Sequence, residues 1–87
     1  METATLTWFD VSSGEGMVQL DSDKSLQYLH FTTIAGISKN NYAYPSKSDQ
    51  TLLHNLKSGD PCKVTLYVNL YSSRVDTCDF DVTTIRD

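Results

Sequence analysis

The stretch Ser13-Gly14-Glu15-Gly16-Met17-Val18-Gln19-Leu20, "SGEGMVQL", decides how the chain is read. It begins at the end of a turn cluster, Asp10-Val11-Ser12-Ser13-Gly14, in which Gly14 is free to take a positive φ. It then runs on as a short strand. Upstream, "TATLTWF" (residues 3–9) is Thr-rich, β-branched and aromatic, which suits a pleated, half-buried surface. Adjacent strand residues face opposite ways, so one of Trp8 and Phe9 must point outward, and Trp8 is the one expected there.

The pattern repeats downstream. "LDSDKS" (20–25) reads as a hairpin turn, and "LQYLHF" (26–31) alternates Leu26, Tyr28 and His30 against Gln27, Leu29 and Phe31. "CKVTLYVNLY" (62–71) puts Val64, Leu66 and Val68 on one face. "RVDTCDFDVTTI" (74–85) returns with Cys78, Phe80 and Val82 inside and Thr77, Asp79 and Asp81 outside. Strands are therefore expected near 3–10, 15–20, 26–31, 62–70 and 75–84. Between the third and fourth lies a long turn-rich loop from Thr32 to Leu56, with a helical turn at "SDQTLLHNL" (48–56) capped by Ser48 or Asp49. The whole is one domain over 87 residues, too short for two large sheets. Closure into a small antiparallel barrel is the expected way to hide the edges.

Composition narrows the function classes. Apolar residues at 39% and charged residues at 21% are those of an ordinary folded domain. No apolar run approaches the roughly 18 residues of a membrane span, and Met1-Glu2-Thr3-Ala4-Thr5 carries no export signal, so a cytoplasmic, membrane-free protein is expected. Cys62 and Cys78 lack metal-site spacing and read as reduced packing thiols; no metal or cofactor is expected. No nucleophile motif, phosphate-cradling glycine loop or paired-carboxylate setting with a histidine partner supports enzymatic chemistry. Net charge is −4, and residues 1–23 hold Glu2, Asp10, Glu15, Asp21 and Asp23 with no lysine or arginine. Such a surface repels phosphate or resembles it.

Taken together, the motifs resemble a cold-shock domain, a five-stranded oligonucleotide-binding (OB-fold) barrel. Leu6-Thr7-Trp8-Phe9-Asp10 is similar to that family's Val-Lys-Trp-Phe-Asn, and residues 13–18 stand where it has Lys-Gly-Phe-Gly-Phe-Ile, its first ribonucleoprotein motif. Gln27-Tyr28-Leu29-His30-Phe31-Thr32 resembles the second motif, Val-Phe-Val-His-Phe-Ser. Leu56 through Gly59 to Val64 resembles Leu-x-x-Gly-x-x-Val, and Asp81-Val82-Thr83 resembles Asn-Val-Thr. The resemblance implies an all-β OB-fold with an extended loop between strands three and four. It also implies binding of single-stranded RNA or DNA, in control of transcription or RNA structure, through Trp8, Phe9, Met17, Tyr28, His30 and Phe31.

The first motif has lost chemistry. Glu15 and Met17 replace two stacking phenylalanines, and Thr7 and Ser13 replace two lysines. Each stacked base is worth about 1–3 kcal/mol, so weak binding, micromolar or poorer, is expected. The loop offers further contacts through Lys39, Tyr42 and Tyr44, tyrosine being well suited to interfaces. The alternative expectation is a barrel turned to a protein partner, as a phage-borne protein acting on a host protein would be. Its contact surface would be the acidic face, Met17 and the tyrosine loop.

Overall fold

The computed structural model describes residues 2–37, 44–68 and 73–80, with the backbone alone at 67, 68 and 73. Five strands, β1 (Glu2–Asp10), β2 (Glu15–Leu20), β3 (Leu26–His30), β4 (Pro61–Val68) and β5 (Ser73–Phe80), close into a barrel in the order β1-β2-β3-β5-β4. This is compatible with an OB-fold. The expectation of purely antiparallel strands is corrected at one seam: β3 and β5 run parallel, meeting at Tyr28 and Arg74, with Ile34 and Cys78 bridging in the same sense. A connection passing from β3 through a helix to β4 delivers β5 alongside β3 in that direction. The last expected strand residues, 81–84 with Val82, lie outside the described residues, as do Lys39 and Tyr42.

Inward alternation builds the core. Ala4 and Leu6 of β1, Val18 and Leu20 of β2, Leu29 of β3, Val64 of β4 and Val75, Cys78 and Phe80 of β5 are all buried. Helix α1 (Lys47–Leu53) caps the assembly by burying Leu53, and Leu56 follows it into the core. Its cap is Ser46 rather than Ser48 or Asp49: the Ser46 hydroxyl accepts the Asp49 amide at 3.2 Å, satisfying one otherwise orphaned N–H of the first turn. Cys62 and Cys78 are free, buried thiols. The hydrogen bond to the Cys62 thiol, and then burial, push Cys78 upward, so it stays neutral, while the Cys62 Sγ donates to the Ala4 carbonyl at 3.6 Å.

Two β-bulges set the phase of the outer strands. On β1, Leu6 pairs with Val18 and Trp8 with Met17, leaving Thr7 as the extra residue. Unbroken alternation from Ala4 and Leu6 would bury Trp8; the bulge instead leaves Thr7 and Trp8 both exposed and turns Phe9 against the core. On β5, Thr77 pairs with Thr65 and Val75 with Leu66, so Asp76 is the unmatched residue. Val75 and Cys78 can then both face inward while Asp76 and Thr77 both face out.

The glycines of "GEG" are required by packing. Gly14 ends the β1–β2 turn at φ +74°, its N–H bonded to the Asp10 carbonyl at 2.8 Å, and a Cβ there would overlap the edge of the Phe31 ring at Cδ1. Gly16 lies under β1, where a Cβ would come within 2.5 Å of the Trp8 carbonyl and 2.6 Å of the Phe9 ring. Asp10 holds the turn by accepting the Ser12 hydroxyl at 2.8 Å and the Ser12 amide at 3.0 Å, and these bonds hold its carboxyl below the ordinary range.

A pair of alanine variants separates backbone strain from packing. Gly59 also has positive φ, +100°, but its missing Cβ points into open space. Gly59→Ala should therefore cost about 1–2 kcal/mol, the left-handed penalty alone. Gly14→Ala adds an overpacking cost and should lose about 2–5 kcal/mol in urea unfolding. Equal losses would show that Phe31 yields freely.

Candidate nucleic-acid interface

Register places the outward side chains of β1, β2 and β3 in rows across the sheet. Trp8 stands opposite Met17, Met17 opposite Tyr28, and Tyr28 opposite Arg74 across the parallel seam. One step along, Asp10, Glu15 and His30 form a second row, and on the other side Gln19 pairs with Leu26. Partners in register share a face, so these side chains form one surface.

That surface is apolar at its centre. Trp8 is 48% exposed, Tyr28 39% and Leu26 54%, with Met17 half-buried between Trp8 and Tyr28. Large apolar side chains clustered in the open mark an interaction site more often than scattered ones do. The Tyr28 hydroxyl donates to the Glu15 carboxylate at 3.3 Å, tying the two rows together. Burial, and then the negative charge and hydrogen bond of Glu15, push the Tyr28 phenol upward.

His30 is held from its own strand end. Its Nδ1 accepts the Thr32 amide at 3.4 Å and lies 2.8 Å from the Thr32 hydroxyl, while Thr33 donates to the His30 carbonyl at 2.8 Å. The imidazole thereby caps a single 3-10 turn, Phe31–Thr33, which ends β3 one residue before the expected boundary. Its ring lies 6.3 Å from Tyr28, tilted 32°, and 4.7 Å from Phe31.

The candidate residues divide. Trp8, Met17, Tyr28 and His30 come together on the outer face. Phe9 is half-buried and packs on the core from the other side of β1. Phe31 is corrected outright: it is fully buried beneath Gly14, so its ring offers no stacking face. Tyr44 is exposed, just before α1, whereas Lys39 and Tyr42 fall outside the described residues. Three residues were not foreseen. Leu26 was visible as an outward strand residue; Arg74 and Asp76 reach the face only through the β3–β5 seam, which pairs residues far apart in sequence.

Among the described residues, no group of three or more His, Cys, Asp or Glu is placed to hold a metal ion, and no helix is long and apolar enough to cross a membrane. The sequence matches no protein-family model and no curated protein.

The Glu15–Tyr28 contact can be read directly. With tyrosine 13Cζ labelling, Tyr28 should titrate above the ordinary phenol value of 10.0, and Glu15→Gln should bring it partway back, since burial, the larger cause, stays. An unchanged titration in Glu15→Gln would mean that the two side chains do not interact in solution.

Proposed function

We propose that this barrel binds single-stranded nucleic acid weakly, in the manner of a cold-shock domain, through the outer face of β1–β3. The observation that carries the reading is the bulge at Thr7, which turns Trp8 out into one row with Met17 and Tyr28. An indole and a phenol left in water, at one strand spacing on either side of a polarizable thioether, suit successive bases, because every base has a π-face. His30 extends the platform by one ring.

The same face explains why binding should be weak. Asp10 and Glu15 open on it, and Arg74 borders it at the β3–β5 seam. Phosphates meet little compensating charge, so affinity rests on stacking. A protein partner is the second reading, favoured by those two carboxylates and by Leu26, whose aliphatic chain stacks poorly.

Titration of labelled oligothymidine at low salt, followed by the fluorescence of Trp8, the sole tryptophan, tests the proposal. Quenching with a micromolar or weaker Kd is expected. The slope of log affinity against log salt should be about −1 or shallower, since single strands lose about 0.7 per phosphate neutralised. The double variant Glu15→Phe with Met17→Phe should gain about 2 kcal/mol or more by restoring two stacking rings and removing a charge. No response at millimolar oligonucleotide would end the nucleic-acid reading in favour of a protein partner.

A further inference from the structure

A hollow of about 380 Å³ opens where β3 and β5 run parallel, at the end of the aromatic row. Its β3 wall carries the rings of Tyr28 and His30, and Thr32, which lines the same hollow, fixes the imidazole through Nδ1. Its β5 wall carries Arg74 and Asp76, two exposed residues of opposite charge separated by buried Val75. Asp76 is there because of the bulge: alternation counted back from Cys78 would turn it inward.

The chemistry of the two walls is complementary to one kind of ligand. Two rings provide a wall for a flat aromatic group. Asp76 offers two acceptor oxygens and Arg74 a rigid fork of N–H donors. Among the four bases, guanine alone has neighbouring N–H donors on its pairing edge, N1 and N2, beside neighbouring acceptors, O6 and N7. Adenine has an amine donor beside N7, cytosine gives the carboxylate a single amine, and thymine has no amine. We infer that this hollow is a base pocket selective for guanine within a bound single strand. The inference rests on the single-strand reading above and adds sequence preference to it.

The test compares four DNA pentamers, TTTTT, TTGTT, TTATT and TTCTT, by Trp8 fluorescence under one low-salt condition. TTGTT should bind at least about fivefold more tightly than the others, the low end of what a bidentate base contact discriminates. Asp76→Asn replaces one acceptor oxygen by a donor at an exposed position. It should bring the four pentamers to within about twofold of one another, the gain from the lost negative charge being common to all four. Arg74→Lys keeps the charge but loses the fork, and should level the four pentamers likewise; unfolding midpoints confirm that both variants are folded. If TTTTT binds and the wild-type protein does not separate the four pentamers, the guanine pocket is overturned and the single-strand reading stands. If TTGTT is preferred but neither variant weakens the preference, the pocket is also overturned. If no pentamer binds, the single-strand reading fails and the pocket falls with it.

Discussion

The packing of Phe31 against Gly14 is the contact on which the rest of the barrel depends. The Phe31 ring fills the space that any side chain at Gly14 would need, and its amide donates to the Gly14 carbonyl at 2.7 Å. That joins the turn before β2 to the residue that follows β3. With both ends fixed, Glu15 aligns with His30, Met17 with Tyr28 and Gln19 with Leu26. A slip of β3 by one residue against β2 would move the β3 side chains to the opposite face, sending Leu29 into water and Tyr28 into the core. The register of the outer surface therefore follows from a buried contact beneath it.

The outer surface then owes its content to irregularity. Regular alternation would produce a sheet with Trp8 inside and Asp76 turned toward the core. Each bulge spends one residue to reverse the phase, and the two lie on the strands that flank the central pair β2 and β3 in the barrel order. Polar and apolar groups are consequently exposed together: Trp8, Met17, Leu26 and Tyr28 in the middle, Asp10 and Glu15 on one side, Arg74 and Asp76 at the seam. A face so composed is suited to flat aromatic ligands and poorly suited to dense negative charge.

Much of this was legible in residue order, because strand alternation is local. Gln27, Leu29 and Phe31 already fell on one face and Leu26, Tyr28 and His30 on the other, and the structure keeps that division. Carrying Phe31 over as a stacking residue on the strength of resemblance went against the alternation, and the alternation held. The outward Trp8 was anticipated from its neighbour Phe9, but not its cause, since a bulge depends on the partner strand. The helix cap was missed by two residues, as three serines and aspartates compete within Ser46–Asp49 and only backbone geometry chooses between them. Arg74 and Asp76 were beyond reach because the parallel seam joins segments some 45 residues apart, and nothing local encodes it.

A residue-resolved map of ligand-induced chemical shifts tests most directly whether the outer face of β1–β3 is the binding face we propose. In 15N-labelled protein titrated with oligothymidine, the backbone amide signals of Trp8, Met17, Tyr28 and His30 and the indole N–H of Trp8 should move together and saturate at one concentration. The groove on the opposite flank, lined by Thr3, Pro61, Lys63 and Asp79, should stay still. Shifts centred on that groove, or none on the aromatic row while the oligonucleotide binds, would contradict the account.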